Sequence, residues 1–216
     1  MIPPIPKAWL ITPRAPQKLA LDYSSIQSHD LIIAVDGGYK RCLELGLKPD
    51  LLIGDLDSLD PELVKNVPST CEKIVFPRDK NETDTQLAML HCIREGSAEI
   101  FICNDLQGRF DHTLALISNL GEAQVNGSRA TLVSDVNLVF LIERDTEFSY
   151  PQGTVISVLS ATPETAFCRC RGFQYPLDGL IIPNWQSRGI SNVVTEPTQM
   201  ICIERGTALV IVTLPF

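Results

Sequence analysis

Four apolar, strand-length runs in the first half of the chain each open directly into a loop that carries aspartate. Leu31–Val35 runs into Asp36-Gly37-Gly38, and Leu51–Ile53 into Gly54-Asp55-Leu56-Asp57-Ser58. Lys73–Phe76 leads to a loop ending at Asp84, and Ile100–Cys103 to one ending at His112. In an open α/β sheet, loops after the carboxyl ends of neighbouring parallel strands converge on one crevice, where ligands bind. Carboxylates gathered there repel one another and resist ionisation. A divalent cation among them removes that conflict, and an all-oxygen donor set suits Mg²⁺ bridging phosphates. The pattern points to an enzyme.

Helix signals lie between these runs. Tyr39–Leu45 reads as a helix stopped by Gly46. Pro61 stands where a helix-opening proline belongs. Thr83 and Gln86 have the spacing of a capping box that opens a helix running to about Glu95. A further helix is expected from about Phe110 to Leu120, with Phe110, Leu114 and Ile117 on one face. With a first strand at Ala8–Ile11, this alternation predicts a mostly parallel sheet covered by helices. Beyond about residue 130 the helix period is lost. Strands are expected at 130–133, 137–142, 154–160, 165–171, 192–195, 199–204 and 207–213, separated by Gly, Pro, Asn and Ser turns. The fold class expected is α/β: an N-terminal α/β/α domain over 1–142, then an all-β, jelly-roll-like sandwich over 143–216.

Composition narrows the function. A formal net charge of −8 and no Lys/Arg cluster argue against a nucleic-acid partner. An acidic protein that handles phosphates needs local neutralisation by metal, Arg and Lys. The seven cysteines are scattered, without CxxC or His-rich ligand spacing, and read as reduced core thiols. Cys168-Arg169-Cys170 would put both thiols on one face of a strand. The start of the chain lacks the pattern of a signal peptide, and no apolar run reaches membrane-spanning length. A soluble, cytoplasmic protein is expected.

Each loop admits a bland explanation beside the chemical one. Asp36-Gly37-Gly38 fits close backbone approach to an anion at a helix start, or simply a tight turn with Asp as helix cap. In an extended segment Asp55 and Asp57 share a side, so both carboxylates could reach one cation. Asp57 or Ser58 could instead cap the helix at Pro61, which accounts for one residue and not the other. Asp79 to Asp84 is either a solvated loop with a capping box or a phosphate and metal loop with Lys80 as its cation. Gly108-Arg109-Phe110-Asp111-His112 offers a guanidinium able to grip phosphate through two bonds. His112, beside a carboxylate, is structural or bonds a phosphate.

Taken in order, DGG, GDLDS, DxxxTD and GRFDH, each after a strand, resemble the thiamine pyrophosphokinase family. Gly172–Leu177 and Ser187–Asn192 look like that family's thiamine-pocket segments. The resemblance implies a Mg²⁺-dependent transfer of the diphosphate of ATP, as co-substrate, to the hydroxyl of thiamine, giving thiamine diphosphate and AMP. It also implies a homodimer with the thiamine site at the subunit interface. Carried over by position, Asp55, Asp57 and Asp84 would hold metal and, with Arg109 and Asp111, serve catalysis. Asp36, Gly37, Gly38, Lys80, Arg109 and His112 would bind ATP phosphates, and Tyr175, Ser191 and Asn192 would contact thiamine. The chain departs from the family's pattern at Asn81, where many members carry Asp, and at Gln107, where a glycine is usual. Two other functions remain in view: a pyrophosphokinase acting on another small, pterin-like alcohol, and a non-catalytic sensor of nucleotide or thiamine diphosphate.

Overall fold

A computed structural model describes residues 7–214, which divide into two compact units, one ending at Asp135 and one beginning at Val136. The first unit runs β1 (Ala8–Ile11), β2 (Leu31–Val35), α1 (Gly38–Glu44), β3 (Leu51–Gly54), α2 (Pro61–Lys65) and β4 (Glu72–Val75). It continues with α3 (Asp84–Arg94), β5 (Glu99–Cys103), α4 (Phe110–Val125) and β6 (Arg129–Val133). Its six strands are parallel, in the order β6-β5-β1-β2-β3-β4. β1, flanked on both sides, is fully apolar, and its Trp9 stacks on Phe101 with ring centroids 4.4 Å apart. The right-handed crossover rule sends the helices after β2 and β3 to one face, and α3 and α4 to the other. α3 and α4 do pack together. The chain's strand order reverses around β1, so the loops after β2, β3 and β5 open at the edge where such sheets bind ligands.

The second unit is antiparallel throughout. It comprises β7 (Asn137–Ile142), β8 (Thr146–Phe148), β9 (Val155–Ser160), β10 (Glu164–Arg171), β11 (Ile181–Pro183), β12 (Asn192–Val193), β13 (Gln199–Arg205) and β14 (Ala208–Thr213). β12, β9, β14 and β7 are neighbours in one layer, and β11-β10-β13-β8 form the other. β9 alternates half-buried and buried residues, as a strand with one face on a core should. The α/β architecture followed by a β-sandwich matches the sequence expectation.

The differences are instructive. The boundary between the units precedes β7, whereas 142/143 was expected, because β7 pairs along its whole length with β14. The strands β8 and β11 were not expected; each has three residues, too few for a periodic signal. α4 continues past Leu120 to Val125, and its buried residues are Leu116, Asn119, Leu120 and Ala123. The face shared by Phe110, Leu114 and Ile117 is not the most buried one: Phe110 is 72% exposed and Leu114 is also exposed. Cys168 and Cys170 do not share a regular strand face, since Arg169 has φ 48° and the β10–β13 register shifts there. All seven thiols are free, and burial pushes the Cys170 thiol up to about 11. No helix among the described residues is long and apolar enough to cross a membrane.

Candidate active site

The carboxyl edge of the parallel sheet brings together Asp36 after β2, Asp55 after β3 and Asp84 at the start of α3. One carboxylate oxygen from each lies within 4.8 Å of the others. Glycine makes this approach possible. A Cβ on Gly54 would stand 2.9 Å from Asp36 Cβ, and one on Gly38 would stand 1.9 Å from the Ile11 carbonyl oxygen. Gly38 is thus required for packing α1 against the end of β1, a different reason from the anion approach the sequence suggested. Asp36 itself has φ 47°, unusual for a residue with a side chain, and is held there by its N–H to the Ile53 carbonyl. Such strain is characteristic of functional positions.

Lys80 sits inside the cluster, its side chain 11% exposed, with Nζ 3.2 Å from Asp55 Oδ2 and 3.0 Å from Asp84 Oδ1. Burial raises Asp55, but the Asp57 amide and the Lys80 ammonium outweigh it and hold the carboxyl below its ordinary range. Burial wins at Asp84, which is held above that range despite Lys80. The ammonium, penalised by burial, is nonetheless raised by its two carboxylate partners. Ser58 Oγ donates to Asp36 Oδ2 at 2.6 Å, while Asp36 Oδ1 is buried with no hydrogen-bond partner. Mg²⁺ binds oxygens at about 2.1 Å in an octahedron, so its ligand oxygens lie roughly 3–4 Å apart. Three hard oxygen donors within 4.8 Å, one lacking any partner, fit such an ion after a small closure.

Asp57 does not join this group. Leu56 has φ 62°, which turns the chain so that 55–57 is not extended, and the Asp57 amide donates to Asp55 Oδ1 at 3.2 Å. The Asp57 side chain is half-exposed, paired with Arg78 at 3.3 Å, and raised in pKa chiefly by its contact with Asp55. Nor does it cap α2; Asp60 does, accepting from the Glu62 amide. Thr83 caps α3 as expected, but the Gln86 side chain bonds Glu122 instead of closing the box.

The fourth loop is exposed at Arg109–His112. Arg109 grips Asp111 through two bonds of 3.1 and 2.6 Å, which hold the carboxyl low. His112 is exposed and donates its backbone N–H to Asp111 Oδ1. Asn81 is exposed on its loop and Gln107 is not among the residues with positive φ, so neither departure disturbs the three-aspartate cluster. Arg14, which follows β1, escaped the sequence reading because its loop carries no aspartate. It holds Asp105 through two bonds of 2.8 Å and thereby fixes the turn before Gly108.

The second unit holds a pocket of about 320 Å³ lined by Tyr175, Pro176, Leu177, Leu180, Arg188, Gly189, Ile190 and Asn192. Nearly all of these fall in the two segments singled out from sequence. Tyr175 stands at it 58% exposed. Ser191 is exposed, with φ 57° and its N–H on Ser157 Oγ. Asn192 is buried, and both ends of its carboxamide are engaged by the Tyr175 backbone. Arg188 was not anticipated, although it lies inside the second segment.

Residues 23–132 match the family model described as Thiamin pyrophosphokinase, catalytic domain. The chain is 25% identical over 191 residues to the thiamine pyrophosphokinase of Bacillus subtilis (strain 168), covering 85% of this chain and 87% of the relative. It is 30% identical over 180 residues to thiamine pyrophosphokinase 3 of Oryza sativa subsp. japonica, covering 76% of this chain and 65% of that one. Its fold matches the crystal structure of the Bacillus subtilis enzyme at a TM-score of 0.86 and 21% identity, over 97% of this chain and 100% of that one. A family protein from Enterococcus faecalis matches at 0.85 and 24%, with the same coverage of both chains.

Proposed function

The chain belongs to the thiamine pyrophosphokinase family, and we propose on that premise that it transfers the diphosphate of ATP to the hydroxyl of thiamine, giving thiamine diphosphate and AMP. The observation that carries the proposal is the gathering of Asp36, Asp55 and Asp84 at the sheet's carboxyl edge, with Lys80 paired to the last two. Those three aspartates would hold Mg²⁺, with Asp36 in the place assigned from sequence to Asp57. When bound, the ion supplies neutralising charge for the triphosphate. Lys80, whose ammonium lies against Asp55 and Asp84, would neutralise a phosphate oxygen there. Arg109 exchanges Asp111 for phosphate at small cost, because both side chains are exposed. The proton acceptor for the thiamine hydroxyl would be one of the two carboxylates beside these cations, Asp84 or Asp111.

We assign the pocket at Tyr175 to thiamine, whose cationic ring suits an exposed aromatic face. The apolar side chains exposed on each unit, Phe110 and Leu114 on one and Ile181, Trp185 and Ile190 on the other, support a homodimer. Seven unpaired thiols suit a cytoplasmic location. Incubation with Mg-ATP and thiamine, products resolved by chromatography, tests the reaction. AMP with the diphosphate ester is the expected outcome, and ADP with a monophosphate would overturn it. A screen of other alcohols, pterin-like ones included, scored by AMP release, tests the acceptor. Tight binding of thiamine diphosphate without any turnover would make the protein a sensor instead.

A further inference from the structure

The Tyr175 side chain is exposed, yet both polar groups of its backbone are hydrogen-bonded. Gly172–Tyr175 runs antiparallel to Asn192–Thr195: the Thr195 N–H reaches the Gly172 carbonyl, Phe173 bridges Val194, and the Gln174 N–H reaches the Val193 carbonyl. Pro176 follows, and without an N–H it cannot extend that pairing. At Tyr175 the missing rung is supplied by a side chain. The Tyr175 N–H donates to Asn192 Oδ1 at 2.9 Å, and Asn192 Nδ2 donates to the Tyr175 carbonyl at 2.7 Å. Asn192 is only 3% exposed and its Oδ1 also accepts from the Val193 N–H. Its backbone is fixed from the other side by the β12–β9 pairing with Ile156. The preceding Ser191, in the left-handed region, is anchored by Ser157 Oγ.

We propose that Asn192 is a positioning residue for the acceptor: its carboxamide acts on the ring face of Tyr175 at the pocket, not on the ligand. This rests on the assignment of the pocket to thiamine. The sequence resemblance implies a direct contact, but both polar atoms of the carboxamide already have backbone partners, which leaves little for a ligand. An amide suits the position, because one atom must accept from an N–H while a second donates to a carbonyl. Asn192→Asp keeps the shape and the acceptor but turns a carboxylate oxygen onto the Tyr175 carbonyl.

The test combines kinetics with amide exchange. Asn192→Asp should raise the KM for thiamine about threefold to tenfold, no more than loss of the Tyr175 ring itself would, and leave the KM for ATP within twofold. In a Tyr175→Ala background the same substitution should change the thiamine KM by less than twofold. An equal rise in both KM values, or an undiminished effect in that background, overturns the proposal. Exchange at the Tyr175 amide gives an answer that needs no turnover. It should be slow in the wild type and at least tenfold faster in Asn192→Ala, with exchange in β9 and β14 unchanged. An unchanged Tyr175 amide overturns the proposal even if thiamine is the acceptor. If the wild type forms no AMP from ATP and thiamine, the functional assignment fails separately, and the amide result still decides what Asn192 does.

Discussion

The acidic edge of the first unit and the pocket of the second are organised by opposite principles. At the edge, three carboxylates crowd one another, a buried oxygen of Asp36 has no partner, and the Asp55 and Asp84 carboxyls are pushed in opposite directions. At the pocket, Asn192 and the Tyr175 backbone satisfy one another completely. The edge holds electrostatic tension that a cation and phosphates would relieve; the pocket holds shape. Substitutions at the edge should therefore remove chemistry and leave the fold, whereas those at the pocket should change affinity for one ligand.

The largest effect should come from the edge. Asp36→Ala or Asp55→Ala should lower turnover on the order of 10³-fold, as loss of a central electrostatic partner does, with the unfolding free energy within about 1 kcal/mol of wild type. Asp57→Ala should lower turnover roughly tenfold or less, since Asp57 is half-exposed and paired with Arg78. Steady-state rates for the three variants, read beside thermal melts, check the order. If Asp57→Ala proves as damaging as Asp36→Ala, the cluster is not the one that binds metal.

Gly38→Ala tests whether edge and scaffold are separable. The added methyl would meet the Ile11 carbonyl at 1.9 Å, and α1 would have to move, at about 3 kcal/mol. A clear drop in melting temperature, with activity surviving in whatever remains folded, is the expected result. Full stability would mean that α1 shifts freely and that the geometry around Asp36 is not fixed by packing.

These contrasts also mark what the sequence made legible. The parallel strands and most antiparallel ones could be read because short apolar runs end in turn residues such as Asp36, Gly54, Pro77 and Asn104. The pocket could be read as two segments. Which aspartates cluster with Asp55 could not, because backbone angles decide it: with Leu56 at φ 62°, the Asp57 carboxyl stays beside Asp55 and pairs with Arg78, outside the group that Asp36 and Asp84 complete. Which face of α4 is buried stayed hidden for a related reason. Phe110 and Leu114 have helical spacing, but which stripe faces the sheet depends on the tertiary environment, and Leu116 and Leu120 are buried there instead. Arg14 carried one available signal: a cation at the end of a parallel strand.

Tyr175 should give a smaller effect than the aspartates. Tyr175→Ala should raise the KM for thiamine about tenfold, in keeping with loss of a cation–π contact of roughly 1–2 kcal/mol, and leave turnover at saturation largely intact. Tyr175→Phe should stay near wild type, because the ring supplies the contact. Initial rates across thiamine concentrations at fixed ATP distinguish the two variants, and a turnover loss matching that of Asp55→Ala would erase the division between edge and pocket.

The smallest effect is expected at Asn81, where a comparison of motifs alone suggests a large one. Many family members carry Asp at this position, so the chain could be taken to lack a metal ligand. Asn81 is exposed, however, and the three carboxylates that lie within 4.8 Å of one another come from other positions. Restoring the charge with Asn81→Asp places a solvated carboxylate next to Lys80, whose ammonium is already held by Asp55 and Asp84. At an exposed site such a charge is worth at most about 1 kcal/mol. Both turnover and the Mg²⁺ concentration for half-maximal rate should therefore stay within about threefold of wild type, as a Mg²⁺ titration at saturating ATP and thiamine would measure. A tenfold gain in Mg²⁺ affinity would mean that the loop folds inward on binding and that a fourth carboxylate belongs to the site.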